Sequence, residues 1–244
     1  MKKIITLLTS SVLLVFSTFN ANALEMPNIT LPSLSGLAVG VAGSAGIYKA
    51  SGTETEDDEI QTSDNQTLAI GYGSVFVEYS IEAAKGLTLG VDYVFDDIAT
   101  ETQDREDFNT ESVNDAGIGS TSGLTNLQSA KANFSDLTTY YVELPLAITG
   151  LDTGAYIKFG LREVDVETRE SLATGSTYNN TSIDGELYAI GTKRTFDDYG
   201  LFVKFEASYT EWDKIKLTSN TNADNVITAN LEGAVATIAI GKSF

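Results

Sequence analysis

AVATIAIGKSF, residues 234–244, alternates apolar with small or polar residues up to a carboxyl-terminal phenylalanine. Ala234, Ala236, Ile238 and Ile240 fall on one side of a period-two pattern, the signature of a strand with two unlike faces. A soluble domain commonly leaves its last residues polar and frayed. Here the strand is expected to be needed to its end.

The other end reads MKKIITLLTSSVLLVFSTFNANA: two lysines, an apolar run from Ile4 to Phe16, and the small-residue pattern Ala21-Asn22-Ala23. That order predicts a secretory signal peptide over residues 1–23, cleaved after Ala23. Its apolar run of about 13 residues is short of the roughly 20 that a membrane-spanning helix needs. Taking 23 from 244 leaves 221 residues, and losing Lys2 and Lys3 moves the formal charge from -19 to -21. Such an acidic surface disfavours nucleic acid as a partner. The chain has no cysteine, so no disulfide holds it, and no histidine, which removes most nucleophilic and zinc chemistry.

Residues 24–36, a short leader, contain two of the three prolines and no sustained pattern. From residue 37 to 244, one domain, period two dominates and predicts eight strands: 37–49, 67–81, 87–101, 134–149, 153–166, 182–196, 200–216 and 230–244. These are long beside the 5 or 6 residues usual in soluble sheets. The links alternate between tight and long. EAAKG, GLD and DDYG are turns, whereas 50–66, 102–133, 167–181 and 217–229 are expected as loops. An antiparallel meander then carries every long loop at one end, as outer-membrane barrels do.

The strand faces agree with a closed sheet. Leu87, Leu89, Val91, Tyr93 and Phe95 oppose Thr88, Gly90, Asp92 and Asp96, and Tyr140, Val142, Leu144, Leu146 and Ile148 oppose Thr139, Tyr141 and Glu143. Strands one and six, rich in small residues, show no clear phase. The polar faces carry both signs near mid-strand: Glu78, Asp92, Glu143 and Glu206 beside Lys158, Arg162 and Lys204. Mixed charge is what a narrow interior needs for compensation. A soluble lipocalin-like barrel shows the same alternation with its apolar face inward, so periodicity leaves both arrangements open.

With these features together, residues 37–244 resemble the eight-stranded outer-membrane barrels of Gram-negative bacteria, the group of the OmpA transmembrane domain and the Opa-like surface proteins. The resemblance rests most specifically on Ala234, Ala236, Ile238, Ile240 and Phe244, with Lys242 departing from the apolar residue more usual there. It implies an all-β, up-and-down transmembrane barrel with short periplasmic turns and long extracellular loops, inserted by the outer-membrane machinery. Ile238, Ile240 and Phe244 are then the insertion signal. Tyr79, Tyr93, Tyr140, Tyr209 and Trp212 are expected in interfacial girdles.

Three functions compete. Glu143 and Glu206 could serve acid chemistry, but the nearby cations make neutralisation the simpler role, and no phosphate loop or metal motif is present. No enzyme and no cofactor is expected. The alternatives are a low-conductance porin for small solutes, which an extra hairpin around LTNLQSAKANF, residues 124–134, would widen, and a soluble periplasmic lipocalin-like barrel binding an apolar ligand. The preferred reading is a monomeric structural or surface-interaction barrel with lipids as partners. Glu54, Glu56, Asp57, Asp58, Glu59 and Asp64, with Asp104, Glu106 and Asp107, should attract divalent cations weakly, although no calcium-loop spacing is present. Calorimetry with excess calcium or magnesium should therefore register weak heat, and a flat trace removes the expectation.

Overall fold

The alternation beginning at Leu37 forms eight long strands in the computed structural model, which describes residues 35–56, 59–99, 103–108, 125–147, 154–171, 177–196 and 199–244. They are β1 (Leu37–Glu56), β2 (Glu59–Ile81), β3 (Leu87–Val94), β4 (Thr125–Pro145), β5 (Ala155–Ser171), β6 (Thr181–Phe196), β7 (Leu201–Trp212) and β8 (Val226–Ser243). Each pairs antiparallel with the next. β8 returns to β1 in a register from Ala38↔Ser243 to Thr55↔Val226, which closes the sheet. Phe244 continues the closure, its N–H donating to the Leu37 carbonyl at 2.9 Å.

The register fixes the size of the barrel. One hydrogen-bonded row leaves β2 at Ala69 and passes through Ile47, Ala234, Tyr209, Tyr188, Phe159, Val142 and Leu89. It re-enters β2 at Tyr79, a shear of ten residues (79 − 69). Ten over eight strands tilts them by about 40° and gives a backbone radius of roughly 8 Å. Only side chains fit inside.

Side chains sort by face. Val41, Val75, Leu89, Leu161, Ile190, Phe205, Ile238 and Ile240 stand on the outside, with Phe205 56% exposed, while Phe202 at 0% and Glu78 at 1% point inward. Apolar without and charged within is the arrangement of a transmembrane barrel, the reverse of a lipocalin-like one. At the turn end, Glu82–Ala84 makes one 3-10 turn that Lys85 and Gly86 leave with φ of 57° and 83°. Gly36 meets this rim, the Ser80 N–H donating to its carbonyl at 2.7 Å. Residues 1–34, and with them the signal peptide, lie outside the described residues.

At the other end the strands outrun their expected limits. Residues 50–66 are strand where a loop was expected: β1 reaches Glu56 and β2 begins at Glu59, leaving only Asp57 and Asp58 between them outside the described residues. Alternating Thr, Ser and acidic residues can pair as well as apolar ones once both faces meet water. Likewise Gln103–Phe108 pairs with Thr125–Ala130, so residues 125–134 are the start of β4 and add no strand to the wall. Ile215–Thr218, from the end of the expected strand 200–216 into the expected fourth loop, pairs with Val226–Ala229 of that loop. β3, by contrast, stops at Val94, short of residue 101. Opposite it β4 shifts register between Ser135 and Thr138, where Asp136 takes a φ of 54°, and the chain bends away to pair Ile98–Ala99 with β4.

The blurred strands one and six have a packing explanation. Six inward rings each lie on a glycine directly opposite on the neighbouring strand: Phe76 on Gly40, Tyr141 on Gly90, Trp212 on Gly185, Tyr156 on Gly191, Tyr48 on Gly233 and Phe202 on Gly241. A narrow barrel accepts large rings only if the facing position is empty. At Gly241 an added Cβ would lie 2.3 Å from Phe202 Cζ and 2.8 Å from the Val39 carbonyl oxygen, whereas at Gly43 it would meet nothing within 4 Å. Gly241→Val should therefore cost about 1–3 kcal/mol, and Gly43→Ala should stay within about 0.5 kcal/mol. Urea midpoints of the folded gel form check both.

Candidate functional site

The barrel interior has two compartments. Its turn-end half holds four carboxylates, Glu78, Asp92, Glu143 and Glu206, and four cations, Lys158, Arg162, Lys193 and Lys204. β7 sends Lys204 between β2 and β4, where its ammonium meets Glu78 and lies 2.6 Å from Glu143 Oε1. β5 sends Lys158 to Glu143 at 3.2 Å and Glu206 at 2.5 Å. Lys193 stands 3.7 Å from the second Glu78 oxygen. The network thus ties β2, β4, β5, β6 and β7 across the lumen.

Aromatics complete it. The Tyr141 hydroxyl donates to Glu78 at 2.9 Å, and the Tyr156 hydroxyl to Glu206 at 3.0 Å. Lys158 lies 4.3 Å from the Tyr141 ring centre and Lys193 4.0 Å from that of Phe202, within cation–π range. Two expected members are held by hydroxyls: Asp92 accepts from Ser74 at 2.8 Å, and Arg162 donates to Thr210 at 3.0 Å and Tyr48 at 3.2 Å. Lys193 was the residue the strand pattern hid, because its inward neighbours on β6 are Gly191 and Ala189. The free space among these side chains is about 40 Å³.

The loop-end half is apolar, which the sequence pattern did not anticipate. Tyr48, Val94, Leu137, Val164, Ile183, Trp212 and Val235 form one buried cluster there. Trp212, expected in an outer girdle, is inside and 7% exposed, because its position on β7 is in phase with Thr210 and Ser208. Tyr79, Tyr93, Tyr140 and Tyr209 do face outward, as do Ile238, Ile240 and Phe244. Above the apolar belt, Glu186, Glu211 and Glu232 stand in one cross-strand row. Tyr209 donates to Glu232 at 2.7 Å, and Tyr188 donates to Glu186. Like charges placed side by side repel, and these hydroxyls relieve part of that.

Chemically this interior neutralises and fills. Among the described residues no group of three or more potential ligands is arranged to hold a metal.

No family model matches the sequence. No curated protein matches it either. Among solved structures the chain is similar to Neisserial surface protein A, at 12% identity over 86% of this chain and 98% of that one, with a TM-score of 0.41. It is similar also to the outer membrane protein OprG from Pseudomonas aeruginosa, at 12% identity over 86% and 96%, with a TM-score of 0.43.

Removing Lys204 leaves Glu78 and Glu143 buried without their shared cation. Lys204→Met should therefore destabilise the barrel by about 3–5 kcal/mol. The triple change Lys204→Met, Glu78→Gln, Glu143→Gln should recover much of that. Urea titrations of the three proteins in the same detergent decide it.

Proposed function

We propose that this chain is a non-enzymatic outer-membrane barrel of a Gram-negative bacterium with a structural or surface-interaction role. The observation that carries the proposal is the lumen, where three lysines pair with three glutamates in a network bridging five strands. An eight-stranded barrel is narrow enough for side chains to fill, and here they bind one another. The apolar exterior supports lipid as its surroundings, and Ile238, Ile240 and Phe244 serve as the address for the insertion machinery. Export begins with cleavage after Ala23, and the mature barrel works as a monomer. Its acidic loop-end surface attracts divalent cations diffusely. With no histidine in the chain and a neutralised interior, the carboxylates act as structural partners of lysine.

The test is electrical. The mature chain folded in detergent should migrate differently before and after boiling, give a β-rich circular dichroism spectrum, and show no steady conductance in planar bilayers. Stable unit conductance events would instead support restricted diffusion of small solutes. Folding as a monomer in plain buffer would overturn the membrane assignment.

A further inference from the structure

The outer wall carries a polar pocket where its apolar belt ends. About 330 Å³ of space is lined by Lys49 and Ser51 of β1, Glu211 of β7, and Asn230 and Glu232 of β8. They fall in two neighbouring cross-strand rows: Lys49 stands opposite Glu232 and Glu232 opposite Glu211, with Ser51 opposite Asn230 in the row above. Period two puts all five on the outward face, in phase with Ile47, Tyr209 and Ala234 of the wall below.

Charge of both signs is unspent there. Glu232 accepts from the Tyr209 hydroxyl at 2.7 Å although Lys49 is its cross-strand neighbour. Neither the Lys49 ammonium nor the Glu211 carboxylate has a hydrogen bond or ion pair among the described residues. Beneath the pocket the outward side chains are small, with Ala45 opposite Ala236 and Ala236 opposite Ala207. Ile47 and Tyr209 rise beside them, so a hydrocarbon chain can lie close against the strands and gain dispersion contacts along its length.

We propose that this pocket holds the headgroup of a phospholipid that bears a phosphate and a primary ammonium. The phosphate accepts from Lys49, Ser51 and Asn230, the ammonium donates to Glu211 and Glu232, and an acyl chain covers Ala45, Ala236 and Ala207. The inference rests on the membrane-barrel reading, which puts this row at headgroup level. Charge complementarity selects the occupant. A headgroup with negative charge alone meets Lys49 but also the two carboxylates beside it, and one with positive charge alone leaves Lys49 unpaired. A quaternary ammonium has the charge but no N–H, whereas a primary ammonium offers three donors. Charge-assisted hydrogen bonds to carboxylate and phosphate are the stronger kind.

The folded barrel in detergent, with a chelator present to remove bridging divalent cations, is titrated with dioleoyl phosphatidylethanolamine, phosphatidylcholine or phosphatidylglycerol, and bound lipid is counted by native mass spectrometry. One phosphatidylethanolamine should bind with half-saturation about tenfold lower than either of the others. Glu211→Gln removes one of three adjacent carboxylates and so relieves repulsion in the wall. It should raise the half-saturation of phosphatidylethanolamine to that of phosphatidylcholine, and Lys49→Gln should weaken both. Equal half-saturation for the three lipids, a preference that survives Glu211→Gln, or binding unchanged in Lys49→Gln overturns the site. Soluble phosphoethanolamine that competes at the concentration of the lipid overturns the lipid as occupant. Boiled and unboiled gel samples of the same preparation separate the two readings: a heat-modifiable barrel without lipid preference sinks the headgroup site alone, and a monomer that folds in plain buffer sinks the membrane assignment.

Discussion

The pairing of β8 with β1 is the interaction on which everything else depends. In hydrocarbon each backbone N–H or C=O left without a partner costs several kcal/mol, and an open sheet would present two whole edges of them. Closure removes both edges along the length of the belt. It also fixes the strand count and the shear together, and from these the radius follows. The interior is therefore not free to choose its contents. It has room for one layer of side chains from each strand, and large ones need small ones opposite.

That constraint links the glycines to the charges. Inward rings from β1, β2, β4, β5 and β7 lie on glycines of adjacent strands, and the hydroxyls of two of them, Tyr141 and Tyr156, reach carboxylates. Lysine stems cross the remaining gap, with ammonium groups over ring faces. Buried charge is tolerable here because the Glu78 and Glu143 carboxylates both meet Lys204 and the Lys158 ammonium meets two carboxylates. A pair isolated at the same depth would face its desolvation cost with half the compensation.

Much of this was legible in the residues, and the parts that were not have physical causes. Alternation with apolar Leu, Val, Ile and Phe placed β3, β4, β5 and β7 and assigned their faces, because lipid demands apolar side chains on every second position. Its polar faces carry seven of the eight charged residues that line the lumen. Lys193 escaped because β6 carries Gly191 and Ala189 on the same face, small for the sake of Tyr156 and other neighbours, and small residues carry no phase. Trp212 was misplaced since aromatics suit both an interface and a core, although its phase with Ser208 and Thr210 puts it on the inward face. Strand ends past the belt were missed for a related reason: beyond the lipid, Thr, Ser and Glu pair in strands while reading as loop.

The row that joins Tyr188, Tyr209, Ala234, Ile47 and Ala69 also marks the upper limit of the apolar wall on its five strands, with Glu186, Glu211, Glu232, Lys49 and Thr67 the next outward residues. Since strands tilted by about 40° make such a row rise by roughly 3 Å at each step, the limit climbs by about 12 Å from β6 to β2, half-way round. The protein thus has no single hydrophobic thickness. Lipids beside β6 must be shorter or more compressed than those beside β1 and β2, or the axis must lean to share the mismatch. Either way the annular shell is uneven, and its tallest side is the one that carries β1 and β2.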